Sequence, residues 1–311
     1  MDGTKPKNRR FIIISTVLFI ILITTIITNV FLIDKTNELI QKNNKQVDLN
    51  DNNNNELKKQ NNKLNELQND INFYQNIDTE IENLKRELFK NVKSLEDKIL
   101  TNTSSKKIAY LTFDDGPYYL TNKILDTLDK YNVKATFFTI GRGKERCYDN
   151  SSYNCTTMYS QIAGKGHTIA NHTYSHLIWG GIYKSSTNFI NDVIKQENLI
   201  KEKTGVITNI VRFPGGSSTA GSIKNDIIKK LRERNYGWVD WTAQDGDGGE
   251  LTSSTQAMNY FKNSINSNIE VVLLHDYSTI TYQILPDIIE YLESKGYILL
   301  PLFYESNMVN K

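Results

Sequence analysis

The chain has 311 residues, with 37 lysines and arginines against 35 aspartates and glutamates, a formal net charge of +2. So even a balance creates no global field that would favour a nucleic-acid partner, and nucleic acid is set aside. The length allows one large domain or two ordinary ones, and composition changes sharply along it: residues 1–10 carry Lys5, Lys7, Arg9 and Arg10, residues 11–33 carry no charge, residues 34–105 are crowded with Asn, Lys, Glu and Gln, and from Lys106 the chain reads as globular.

Residues 11–33 are uncharged and rich in Ile, Leu, Val and Phe, and about 20 helical residues cross a bilayer core. The segment is expected to be a transmembrane helix. A cleaved signal peptide has a shorter apolar core followed by small residues, which NVFLID does not supply. The basic residues on its N-terminal side place that end in the cytoplasm and the remainder outside, as a single-pass protein of the cell membrane.

Between 35 and 105 there is neither Pro nor Gly, and apolar side chains recur at Leu57, Leu64, Leu67, Ile71, Tyr74, Ile77, Ile81, Leu84, Leu88, Val92, Leu95 and Ile99. Steps of three, four and seven predict a helix with one apolar seam. Such a seam suits a coiled-coil stalk and a homo-oligomer, most simply a parallel dimer. The alternative for 34–105 is a partly disordered tether, because the run Asn50–Asn55 has weak helix propensity.

From Lys106, short apolar runs alternate with amphipathic stretches, the pattern of a sheet built from strand and helix repeats. Strands are expected near 107–113, 134–140, 167–171, 208–213, 237–241, 270–275 and 297–302. Helices are expected near 120–131, 157–165, 187–204, 222–235, 254–267 and 281–295. The fold class is α/β, a distorted (β/α) barrel that is irregular or incompletely closed, preceded by the membrane helix and the helical stalk. In such barrels chemistry gathers where strands end and loops begin, and Asp114, Asp115, His172, His176, Arg212, Asp247 and His275 fall at such positions.

Adjacent carboxylates after an apolar strand, as in TFDDGP at 112–117, need a cation or a proton between them, unless the pair only caps the next helix. His172 and His176 in HTYSH are four apart; in a helical turn that spacing presents two imidazoles on one face, suited to a divalent transition metal. With one aspartate they make a His, His, Asp set that leaves a position open for water. Arg212 in RFPGG can keep the remaining aspartate ionised and oriented, and the two glycines after it allow close backbone approach to a ligand. His275 ends the apolar strand VVLLH. Together these parts suit metal-assisted attack of water on an acyl carbon, with a carboxylate base, a backbone N–H at the oxyanion and a histidine acid. No P-loop pattern occurs, which disfavours a nucleotide hydrolase.

TFDDGP, HTYSH, RFPGG and LLH, in this order over about residues 106–303, resemble the polysaccharide deacetylases of carbohydrate esterase family four, the NodB homology domain. The resemblance implies a distorted βα barrel over 106–311 and a divalent metal, zinc first, with cobalt, nickel or manganese as alternatives. It implies that Asp114 is the general base, that Asp115, His172 and His176 bind the metal, and that Arg212 steadies Asp114. It further implies that the Gly215 amide serves the oxyanion hole and that His275 is the general acid beside Leu273. In DWTAQDGDGG, Asp247 best matches the aspartate that tunes the acid, with Asp245 close by. Gly248 stands where many relatives have Trp, and the nearby Trp241 either replaces that aromatic surface or packs the barrel.

Cys147 and Cys155 sit in a polar insertion after the second strand, where an oxidising compartment would support a disulfide; two unpaired thiols are the alternative. An anchor and stalk facing a cell wall make N-acetylglucosamine of peptidoglycan the expected substrate. N-acetylmuramic acid, chitin-like or poly-N-acetylglucosamine glycans and O-acetylated glycans are alternatives within the class. A non-catalytic glycan-binding scaffold is the alternative outside it.

Overall fold

The computed structural model describes residues 23, 25, 26, 28–43, 54–141, 155–249, 251 and 253–311. The expected membrane segment 11–33 lies largely outside them, and among the described residues no helix is long and apolar enough to cross a membrane. Cys147 is also outside them; Cys155 is disulfide-bonded. The chain divides into two compact units, Met1–Leu88 and Phe89–Lys311. A helix of 47 residues, Asn54–Leu100, begins in the first and ends in the second, so the last three turns of the expected stalk belong to the same compact unit as the α/β domain.

The second unit is built on eight strands: β1 Lys107–Asp114, β2 Thr136–Thr139, β3 Thr168–Asn171, β4 Ile210–Val211, β5 Gly237–Trp238, β6 Ala243–Gln244, β7 Ile269–His275 and β8 Tyr297–Leu300. They pair in parallel in the order β5-β4-β3-β2-β1-β7-β6. β7 runs along one edge of β1, while the other edge is divided, Lys107–Tyr110 pairing with β8 and Thr112–Asp114 with β2. No β5–β6 pair closes the ring among the described residues. Instead Trp238 of β5 bridges antiparallel to Asn310 of the C-terminal segment. The architecture is a curled, open half-barrel with helices outside it. Seven strands were expected and eight are found; β6 has two residues, too few for a periodicity to register.

Alternation along β1 separates two cores. Ala109, Leu111 and Phe113 face the outer layer. There the helices Thr121–Lys130 and Thr279–Ser294 bring Ile124, Leu125, Leu128, Ile284, Leu285, Ile288 and Leu292. Ile108 and Tyr110 face the barrel interior with Phe138, Ala170, Ile210, Val239, Ile269 and Val271. Ile99 and Leu95 of the long helix join that interior cluster. Each apolar side chain so buried contributes about 1.5–3 kcal/mol.

The helix end is also held by polar contacts. The Tyr110 hydroxyl donates to Glu96 Oε1 at 2.6 Å, the Asn307 amide donates to Glu96 Oε2 at 2.8 Å, and Asn307 Nδ2 donates to Asp97 at 2.6 Å. The Phe89 and Phe303 rings lie 4.4 Å apart. The Phe89–Leu100 segment therefore plugs one mouth of the barrel, and the strand C-termini open at the other.

Candidate active site

Parallel register assembles the site. β1 pairs with β7 so that Asp114 lies beside His275, residues 161 positions apart in sequence. The same inward phase that puts Ile108 and Tyr110 in the interior carries Thr112 and Asp114 to its open end. β7 repeats the pattern, with Leu273 and His275 in phase with the inward Ile269 and Val271.

Arg212, fully buried just after β4, spans the interior. Its Nη1 donates to Asp114 Oδ1 at 2.8 Å and to Thr112 Oγ1 at 2.7 Å, its Nε to Val239 O at 3.3 Å and its Nη2 to Asp240 O at 3.2 Å. Its guanidinium stacks 4.2 Å from the Phe138 ring centre. A buried guanidinium is tolerable only when paired and saturated with acceptors in this way. Burial pushes the Asp114 carboxyl above the usual aspartate range, and Arg212 opposes that shift.

Asp115 is turned toward a different set by a left-handed backbone, φ 73°. His176 Nε2 lies 3.0 Å and His172 Nε2 3.5 Å from Asp115 Oδ1. One donor atom from each of these three residues falls within 4.8 Å of the others, the arrangement that can hold a cation. The donor chemistry fits a divalent transition metal. Burial pushes His172 down to about 3, so its ring is neutral near pH 7. Its Nδ1 lies 2.9 Å from Arg212 O; donating there leaves the Nε2 lone pair facing the carboxylate.

The two histidines do not share a helical turn as their spacing suggests. Thr173 and His176 have positive φ in an irregular loop, and Asp192 holds that loop by accepting from Ser175 N at 2.7 Å and Ser175 Oγ at 3.0 Å. The rings converge, 4.9 Å between centres, because of the loop's bends.

On the other flank, His275 Nδ1 is 2.6 Å from Asp247 Oδ1, and the His275 amide donates to Asp247 Oδ2 at 2.8 Å. Burial alone would depress this imidazole, but the bond and charge of Asp247 outweigh it and raise it to about 9. Asp245 does not touch His275. It accepts from the Asp247 amide at 3.1 Å, and the Thr281 hydroxyl lies 2.7 Å from Asp245 and 2.6 Å from Asp247. One hydroxyl proton cannot serve both carboxylates. Burial and the neighbouring charge of Asp247 raise Asp245 to about 7, so its protonated form can donate to Thr281 while Thr281 donates to Asp247.

Gly215 (φ 73°) and Gly216 (φ 85°) follow Arg212 in a turn that side-chain-bearing residues adopt poorly. Trp241 packs on this turn, where a Cβ on Gly216 would meet its ring at 3.1 Å, and against the interior cluster. The position beside His275 is taken instead by Gly248, whose Cβ would lie 3.4 Å from His275 Cε1. Trp241 thus packs the barrel and does not fill the wall next to the histidine.

Asp276 went unnoticed in the sequence. It is buried, accepts from Thr121 Oγ1 at 2.5 Å, and its Oδ2 would be 1.9 Å from a Cβ on Gly116, so Gly116 is required for the Asp115 loop to pack on it. The adjoining LLHD run was the available signal. Thr281 is a helix residue three positions after the end of LLHDYS, and no periodicity marks its link to Asp245 and Asp247.

The polysaccharide deacetylase profile matches residues 101–236. A peptidoglycan-N-acetylglucosamine deacetylase of Bacillus cereus is 31% identical over 208 residues, covering 65% of this chain and 70% of that protein. The chain belongs to the polysaccharide deacetylases. Among solved structures, this deacetylase domain is similar to the catalytic domain of peptidoglycan N-acetylglucosamine deacetylase from Eubacterium rectale, with a TM-score of 0.59 and 34% identity over 67% of this chain and 93% of that one. It is also similar to a Streptococcus mutans CE4 esterase, with a TM-score of 0.57 and 28% identity over 68% of this chain and 91% of that one.

Proposed function

We propose that this deacetylase hydrolyses the acetamide of N-acetylglucosamine in peptidoglycan, with Asp115, His172 and His176 holding a divalent cation, zinc as the first candidate. The observation that carries the proposal is the convergence of three differently tuned groups on one strand-end face: Asp114 with Arg212, the Asp115–His172–His176 set, and His275 with Asp247. Similarity to peptidoglycan deacetylases supports the choice of glycan.

A cation bound there supplies Lewis acidity toward water and the acetyl carbonyl. Asp114 takes the proton of the attacking water, oriented by Arg212. The Gly215 amide donates to the oxygen on which negative charge develops. His275, kept protonated by Asp247, delivers a proton to the departing amine as the C–N bond breaks. Leu273, in phase with His275 on β7, provides an apolar wall for the acetyl methyl.

The chain is further proposed to be anchored by residues 11–33 with the deacetylase domain outside the cell, and to self-associate through the apolar seam of the stalk. The basic residues before Phe11 support the orientation, and the disulfide at Cys155 suits an oxidising compartment. The test is acetate release from purified peptidoglycan and from N-acetylglucosamine oligomers, with and without chelator and with zinc or cobalt restored. Release that stops with chelator and returns with metal is expected; absence of release from both substrates in the presence of metal defeats the proposal.

A further inference from the structure

Resting on the glycan reading above, we propose that Trp179 is a stacking platform for a pyranose ring of the bound glycan at the rim of the site. Trp179 is 90% exposed, the most exposed of the large hydrophobic side chains among the described residues. An aromatic side chain normally buries about 150–250 Å², so an indole left in water on a well-braced loop calls for an occupant.

The bracing is specific. The Ile178 amide donates to His176 O at 3.1 Å and the Ile182 amide to Leu177 O at 2.9 Å. Gly181 lies so close to Leu177 that a Cβ would meet the Leu177 Cβ at 2.4 Å. The Tyr183 hydroxyl donates to Pro214 O at 2.8 Å, and its ring stacks 5.6 Å from Phe189. The loop is therefore tied to the turn that carries Gly215, and Ile178 Cδ1 would lie 3.5 Å from a Cβ on Gly215. Trp179 is the next residue, three positions after His176.

On a braced backbone, three positions after a proposed metal ligand and next to Ile178, which packs against the proposed oxyanion glycine, the exposed indole offers an apolar, polarisable face to a polymeric substrate. The C–H face of a pyranose matches such a surface, with the ring hydroxyls left to water. An aromatic contact of this kind needs no hydrogen-bond partner on the sugar. The platform would act on binding of sugars beyond the reacting acetamide and leave the chemistry at the metal set untouched.

The test compares wild type, Trp179→Ala and Trp179→Phe in the full chain. Binding of an N-acetylglucosamine pentamer is measured by calorimetry, and turnover is measured on the pentamer and on 4-nitrophenyl acetate, a substrate too small to reach the loop. Trp179→Ala is expected to raise Kd and KM for the pentamer about five- to tenfold, with ester turnover unchanged and Trp179→Phe recovering most of the loss. Unchanged pentamer Kd in Trp179→Ala, absence of pentamer binding by wild type, or equal losses on pentamer and ester would each overturn the platform. Trp179-dependent pentamer binding without acetate release would instead leave the platform standing and remove the deacetylation reading.

Discussion

The two mouths of the barrel, one plugged and one open, carry opposite chemistry on the same strand. At one end of β1, Ile108 and Tyr110 meet Ile99, Leu95 and Glu96 of the long helix; at the other, Thr112 and Asp114 meet Arg212. Both ends bury charge, but the plugged end holds a carboxylate with hydrogen bonds from a phenol and an amide, whereas the open end holds one against a guanidinium. The first arrangement satisfies a buried group at low electrostatic stakes. The second keeps a carboxylate beside a guanidinium in an interior where such interactions are strong, the setting that the proposed base would need. Stability and chemistry are thereby separated along about 20 Å of one strand.

The sharpest test of that separation is at the open end. Asp114→Asn should retain metal and lose about 100- to 10,000-fold in acetate release, the usual worth of a general base. Asp115→Asn should lose metal as well as activity. Metal analysis beside acetate assays on folded protein decides it, and the roles are wrong if Asp114→Asn loses metal while Asp115→Asn keeps both.

At the plugged end the next largest effect is on folding. A fragment beginning at Lys106 lacks Leu95, Glu96 and Ile99 and should unfold at a clearly lower temperature than one beginning at Phe89, by about 2 kcal/mol for each buried apolar side chain removed. Equal transitions in calorimetry would mean the plug is passive and the domain boundary lies at Lys106.

A smaller effect concerns pH. His275 is raised to about 9 by Asp247, so a proton donor there persists through neutral pH and is lost as pH rises through that value. Asp247→Asn removes the bond and charge that raise it, and the alkaline limb of the pH–rate profile should move to lower pH. A limb that stays in place would assign it to another group.

The smallest effect returns to the plug. Burial raises Glu96 above its ordinary value despite the hydrogen bonds from Tyr110 and Asn307. A carboxyl raised on folding adds stability below its unfolded pKa and loses that contribution as pH climbs through the folded pKa. Wild type should therefore lose melting temperature relative to Glu96→Gln as pH rises from acid toward neutral. Tyr110→Phe, which removes one donor, should cost about 1–3 kcal/mol. The same melting series on both variants checks the pair, and a Glu96→Gln difference independent of pH would contradict the burial argument.

Much of this was legible in the chain itself. Short apolar runs over 107–113 and 270–275 marked strands that the structure places at 107–114 and 269–275, and helices expected at 120–131 and 187–204 occur at 121–130 and 186–204. The two-residue strand β6 was invisible, because a period of two needs several residues to declare itself. The histidine pair was legible as a pair and misread as a helical turn, since spacing alone does not reveal the left-handed bends at Thr173 and His176. The end of the long helix looked like more stalk: Leu95 and Ile99 continue its apolar seam, and nothing local distinguishes a seam that meets another helix from one that meets a barrel.

What the sequence determined by itself was the set of candidate groups and the strand ends that carry them, because residue type sets protonation chemistry and apolar runs mark strands buried on both faces. What only the tertiary structure decided was which groups face one another. Asp114 meets Arg212 and lies beside His275, Asp247 and not Asp245 takes the imidazole, Trp241 packs on Gly216, and Glu96 seals the far mouth on Tyr110. These pairings join residues from 14 to 161 positions apart. They follow from the register of parallel strands and the curl of the open barrel, and those are properties of the whole sheet that no local stretch of chain contains.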